Sequence, residues 1–95
     1  MDPDTPKPTV IYNPDDSRFE IHIDNYTAVL DYSLHGSTML MTHTVVPSEL
    51  GGRGLGGLLA QAGLDYAREK GYKVEPLCSF VAAYIRKNPQ YQDLL

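Results

Sequence analysis

Ninety-five residues, 42% hydrophobic and 21% charged, set the scale of one small globular domain and exclude a disordered chain. A formal charge of −4 argues against a general nucleic-acid surface, and the single cysteine, Cys78, excludes an internal disulfide or a thiolate metal cluster. No apolar run reaches membrane-spanning length, and the opening MDPDTPKPTV lacks the basic-then-apolar order of a signal peptide, so a reducing cytoplasm is the expected setting, with no membrane partner.

Residues 1–14, rich in proline and aspartate, are expected to form an extended arm ahead of one domain at 15–95. From Arg18 the chain alternates, with Phe19, Ile21 and Ile23 on one face and Arg18, Glu20, His22 and Asp24 on the other, the period of a half-buried strand. Asp24-Asn25 turns it. A second alternating run sets Tyr26, Ala28, Leu30, Tyr32 and Leu34 on one side; His35-Gly36-Ser37 turns again, and Thr38 to Val46 is a third strand that Pro47 ends. On that strand the alternation puts His43 on the face of Met39, Met41 and Val45.

Leu55, Leu58, Leu59, Ala62 and Tyr66 then recur at helical spacing, with Gly71 as the C-terminal stop. Tyr72 to Glu75 is a short strand. Ser79 reads as the N-cap of a second helix whose apolar face is Phe80, Val81, Tyr84 and Ile85, closed by Asn88-Pro89. The order β-β-β-α-β-α predicts an α+β fold: a mostly antiparallel sheet with one parallel βαβ unit.

Between the third strand and the first helix lie five glycines in seven positions, Gly51 to Gly57. Glycine is costly in a helix and weak in a strand, so this bare backbone calls for a reason. A glycine-rich turn that opens a helix presents free N–H groups and a positive dipole end to an anion, and Arg53 adds a cation within the loop. Gly52-x-Gly54-x-x-Gly57 matches the dinucleotide fingerprint letter for letter. Its context does not fit: Pro47 to Leu50 separate it from the strand, and only twenty residues follow Glu75, too few for a doubly wound sheet. A Gly-Lys-Ser/Thr ending is absent, which excludes a nucleotide triphosphatase loop.

The stretch HTVVPSELGGRGLGGLLAQAGLDYAREKGYKVEPLCSFVAAYIRKNP resembles the core of the minimal GNAT-type N-acetyltransferases over residues 18–92. The likeness lies in a strand ending His-Thr-x-Val-Pro, the glycine turn into an amphipathic helix, a short strand, Cys-Ser-aromatic, and a helix running to Asn-Pro. It implies that loop amides of Gly52, Arg53, Gly54, Leu55, Gly56 and Gly57 grip the pyrophosphate of acetyl-CoA. It also implies that Thr44, Val45 and Val46 run beside the pantetheine arm where the sheet splays into a cofactor slot. The family's loop begins with Gln or Arg, a place held here by Gly51, and Arg53 stands where the small group often has a basic residue.

Two side chains are candidates for chemistry. Cys78, between a strand and a helix start, is where a helix N-terminus lowers a thiol's pKa, and the resemblance sets it facing the thioester. An apolar filler is the alternative. His43 is either a satisfied core residue or, as the resemblance implies, a general base near the site. His22 and His35 have weaker claims, and the three histidines lack metal-ligand spacing, so no metal is expected. The activity implied is transfer of an acetyl group to a small amine or protein amine, by direct attack or through an acyl-cysteine, in a monomer or weak dimer. A non-catalytic module that binds coenzyme A or a protein is the other reading.

Overall fold

The computed structural model describes residues 8–95 and is built as one five-stranded sheet in the order β1-β2-β3-β4-β5. The strands are β1 (Ile11–Asn13), β2 (Arg18–Ile23), β3 (Tyr26–His35), β4 (Thr38–Val45) and β5 (Lys73–Pro76); the helices are α1 (Leu55–Lys70) and α2 (Ser79–Lys87). The meander β1 to β4 is antiparallel, and β5 returns parallel to β4 after α1, the expected βαβ unit.

Ends and edges differ from the sequence reading. Of the arm expected over residues 1–14, positions 1–7 lie outside the described residues, while Ile11–Asn13 pairs with β2 as an edge strand. Three residues are too few to show a period, so their partner contacts decide. The Asn13 amide donates to Glu20 at 3.0 Å, and the Tyr12 hydroxyl lies 2.9 Å from that of Tyr66 on α1 and 3.1 Å from that of Tyr32. Cys78, not Ser79, is the N-cap of α2. A 3-10 turn at Pro89–Leu94 follows α2 and buries Tyr91 and Leu94.

The core forms where the period-two faces of β2, β3 and β4 meet the apolar stripes of both helices. Ile21, Leu30, Met39 and Met41 of the sheet and Leu59 and Leu64 of α1 are fully buried, and Val81 and Ile85 of α2 join the same cluster. Each such aliphatic chain contributes about 1.5–3 kcal/mol. A 16-residue helix is marginal by itself, so packing holds α1 in place. It sits close to the sheet at Gly63, where an added methyl would come within 2.9 Å of Leu30 Cδ2. Among the described residues both helices pack on this one face. The other face is polar: Arg18 donates to Asp31 at 2.8 Å, and the Glu20 carboxyl is held below its usual range first by Asn13, then by His22. No helix among the described residues is long and apolar enough to cross a membrane.

The C-terminal turn is clamped onto α1. Arg68 makes two bonds to Asp93, at 2.8 and 2.9 Å, and the Tyr91 hydroxyl donates to Asp65 at 2.7 Å. Burial and that bond push the Tyr91 phenol up to about 12. Arg68 holds the Asp93 carboxyl below its ordinary value. A lowered carboxylate stabilises the folded state above its unfolded pKa, and that contribution is lost as pH falls through the folded pKa. Amide exchange at Tyr91 and Leu94 should therefore accelerate in acid, below the ordinary aspartate range, before exchange in the sheet does. Simultaneous acceleration in both would show that the clamp carries no separate share.

Candidate functional site

Where β4 leaves β5, the sheet opens. Registered pairs between the two strands run from Thr38↔Lys73 to Met41↔Pro76 and stop, while β4 continues to Val45 beside β3. The Cys78 amide bonds to the Met41 carbonyl at 3.0 Å, after which the chain turns into α2. Among the described residues, Thr42–Val45 therefore has a strand on one edge only.

The same stretch contains a bulge. Tyr32 pairs with Met41 but Asp31 pairs with His43, so two β4 residues stand against one step of β3. A bulge moves every later side chain to the opposite face. Thr44 opposes Leu30 on the core side, whereas His43 opposes Asp31 and Val45 opposes Val29 on the polar side. Simple alternation from Met39 and Met41 put His43 on the core face; the structure puts it, exposed, on the other.

A cleft of ≈ 400 Å³ lies on the helix side of this opening. Its walls are Thr44 and Val46 from the end of β4, Leu50, Gly51, Gly52 and Gly54 of the loop, Leu55, Gly56 and Gly57 of α1, and Phe80 of α2. The loop begins with a 3-10 turn, Ser48–Leu50, and ends with Gly54 as the N-cap of α1 at φ 74, ψ 20. That left-handed conformation is strained for residues with a Cβ. The first helical bond is Leu58 N–H to the Gly54 carbonyl, at 3.2 Å. Among the described residues no amide from Gly52 to Gly57 donates a hydrogen bond, which leaves a row of donors at the positive end of a helix. Gly56 is bare for a second reason, since a methyl there would meet Phe80 Cζ at 2.7 Å.

Cys78 lies beside the cleft. Its Sγ is 3.5 Å from the Thr44 hydroxyl. Burial pushes the thiol up, but hydrogen bonding from the Thr44 hydroxyl, the Val81 and Phe80 amides and the Thr44 amide outweighs it and leaves the thiol below its ordinary value. The Val81 and Phe80 amides are N-terminal in α2, so the thiol stands where a capping side chain would. Amides of alternate strand residues face alternate edges, which puts Thr44 and Val46 on the open edge and turns Val45 toward β3.

Of the residues singled out in the sequence, Thr44, Val46, Gly52, Gly54, Leu55, Gly56 and Gly57 line one cleft, and Cys78 adjoins it through Thr44. Arg53 is exposed within the loop, and His43 and Val45 lie across the sheet. Phe80, assigned by periodicity to the apolar core face, is instead 43% exposed as a cleft wall. The signal for it was its neighbour across the cleft: a helical glycine at position 56 leaves room for one large ring. Among the described residues no three His, Cys, Asp or Glu side chains converge as metal ligands.

Comparison with known proteins agrees with this architecture. A family model described as GCN5-related N-acetyl-transferase matches residues 18–94. Protein NATD1 of Homo sapiens is 37% identical over 68 residues, covering 70% of this chain and 60% of the relative. NATD1 of Xenopus tropicalis gives the same identity over 68 residues, covering 62% of that relative. The chain thus spans about 60% of the length of these curated relatives. A solution structure from Staphylococcus aureus, described as GCN5-like, superposes with a TM-score of 0.72 at 30% identity, over 90% of this chain and 85% of that one. With the family model spanning nearly all of the sheet and both helices, the chain belongs to the GCN5-related N-acetyltransferase family.

Proposed function

We propose that the chain transfers an acetyl group from acetyl-CoA to an amine, with Cys78 taking the acetyl group first. One observation carries this reading. The cleft joins a row of unbonded amides at Gly52–Gly57 to the open edge of β4 and ends at Thr44, the hydrogen-bond partner of a thiol with lowered pKa. A pyrophosphate on those amides, with Arg53 beside it, leaves the pantetheine arm to run back along Thr44 and Val46, whose amides face that edge. The thioester then arrives next to Cys78.

In the first step the Cys78 thiolate bonds to the acetyl carbon, the carbon–sulfur bond of the thioester breaks, and coenzyme A leaves as its thiolate, which takes a proton from water. In the second the amine nitrogen bonds to that carbon, the carbon–Sγ bond breaks, and the thiolate returns. The Thr44 amide, on the open edge, can hold the oxyanion of either tetrahedral state. His43 is across the sheet from the thiol, so an amine entering from the polar face meets the imidazole as proton acceptor. That position also supports direct attack on the thioester, without Cys78.

Titration with coenzyme A, followed by amide chemical shifts, should move Gly52–Gly57, Thr44, Val46 and Cys78 and leave β1 and β2 unmoved. Acetyl-CoA alone should load one acetyl group onto Cys78, and an added amine should discharge it. Binding without loading or turnover, across a broad amine panel, would favour a non-catalytic coenzyme A module. Unmoved loop amides at saturating ligand would defeat the reading altogether.

A further inference from the structure

We infer that Phe80 is a positioning residue for Cys78: its ring, seated on the bare backbone of Gly56, fixes the first turn of α2 with the Phe80 and Val81 amides aimed at Sγ. The inference rests on the reading of Cys78 as the group that takes the acetyl, and it names what holds that thiol's donors in place. Phe80 stands out because it is a large aromatic and yet 43% exposed. Its ring nevertheless has one close partner. A methyl added at Gly56 would lie 2.7 Å from Phe80 Cζ, 3.0 Å from Cε1 and 3.2 Å from Cε2, so the outer edge of the ring fits where any other residue would carry its Cβ. Gly56 is itself buried, in the first turn of α1. Glycine weakens a helix there relative to alanine, a cost that a seat for the ring explains.

The first turn of α2 is held from two sides. Val81 is fully buried in the core, while Phe80, one residue earlier, points about 100° away around the helix axis, against α1. One anchor would let the turn roll about its own axis; two anchors at that angle do not. The Cys78 amide is tied to the Met41 carbonyl at 3.0 Å, and the Ala82 amide closes the first helical bond on the Cys78 carbonyl at 3.1 Å. A helix of nine residues has little rigidity of its own, so these contacts decide where its first amides point. The groups that bond to Sγ are the hydroxyl and amide of Thr44 and the amides of Phe80 and Val81, all of them neutral. A thiolate here is stabilised by the direction of its donors, and direction is what a roll of the turn destroys. Tyr84, one turn further on, rests on α1 in a similar way: a methyl added at Gly57 would lie 3.6 Å from its Cε2. Its amide is not among the thiol's donors, which makes it the control for simple loosening of α2 against α1.

The test follows iodoacetamide alkylation of Cys78 against pH in the chain without cofactor, beside acetyl loading from saturating acetyl-CoA. Phe80→Leu should move the alkylation midpoint upward and lower the rate near pH 7 about threefold, the scale on which helix-end amides stabilise a charge. Gly56→Ala, which pushes the ring off its seat, should do the same. A leucine side chain ends short of the ring's outer edge and leaves room for that methyl, so the double variant Gly56→Ala/Phe80→Leu should lie closer to the wild type than either single one. Tyr84→Leu should lower Tm and leave the midpoint in place. Acetyl loading should slow in step with the alkylation rate. Phe80→Leu, at an exposed position, keeps the test open should Gly56→Ala not fold. A midpoint unmoved in folded Phe80→Leu, equally moved in Tyr84→Leu, or displaced in the double variant by the sum of the single shifts overturns the positioning role. If the midpoints move as expected but the wild type takes up no acetyl group, the positioning stands and the acetyl-cysteine reading alone fails.

Discussion

Alanine in place of Cys78 is expected to lower acetyl transfer by about 100-fold or more, and to abolish acetyl loading, without unfolding the chain. The thiol is only partly buried, so its removal leaves no large cavity. On the proposed reading, what is lost is the thiol that takes the acetyl group. The lowered pKa has its own signature: alkylation by iodoacetamide should reach half its maximal rate at a pH below that of free cysteine, because thiolate persists as pH falls toward the lowered value. Thr44→Val keeps the shape of that side chain and removes the hydroxyl. It should shift the alkylation profile upward and slow loading severalfold, while a variant on the polar face, His43→Gln, should slow discharge to the amine and not loading. A Cys78→Ala chain that transfers acetyl at near the wild-type rate would eliminate the acyl-cysteine step and leave direct attack.

The reach of the sequence can be followed along β4. Its start was legible because Met39 and Met41 alternate with Thr38 and Leu40, and its partner strands announce themselves through the same period. Its end was not. Thr42, His43 and Thr44 carry no apolar period to reveal that one residue is inserted, so plain alternation places His43 and Val45 on the wrong face. The bulge is set by long-range pairing with β3, and no local property of a Thr-His-Thr run encodes it. The same insertion turns Thr44 inward to the thiol and the imidazole outward, so the least legible step in the fold decides how the site is divided between two sides of the sheet.

The loop was legible in proportion to how little else its composition could mean. Gly52 and Gly54 take positive φ, and among the described residues the amides from Gly52 to Gly57 are left without partners, as a glycine turn into a helix suggests. Gly56 and Gly63 are bare for packing, against Phe80 and against Leu30 and Met41, reasons that appear only once the elements meet. Capping propensity favours the Ser79 hydroxyl, yet Cys78 is the N-cap. Packing overrode propensity: with its own amide bonded to Met41, Cys78 is the last residue of extended chain, and the helix can start only after it.

Leu30→Ala should be among the most damaging single changes, costing about 3 kcal/mol and lowering Tm by roughly 15 °C in a domain of this size. Leu30 is fully buried on the central strand, one pair beyond the bulge, and its Cδ2 fills the space above Gly63. Gly63→Ala is the informative companion. In the wild-type background the new methyl would stand 2.9 Å from Leu30 Cδ2 and 3.1 Å from Met41 Cε, so the overpacking of about 1–3 kcal/mol opposes a helix-propensity gain of about 1 kcal/mol. Both contacts are with ends of flexible side chains, and the net change should stay within about 1 kcal/mol. With Leu30 already shortened, the methyl enters vacated space and the propensity gain is felt in full. The double variant should then be more stable than Leu30→Ala alone by about 1 kcal/mol, read as the difference between two urea midpoints at equal m. Strict additivity in that cycle would mean that α1 does not rest on Leu30 through Gly63, and that the close approach which sets the helix, and with it the head of the cleft, has another support.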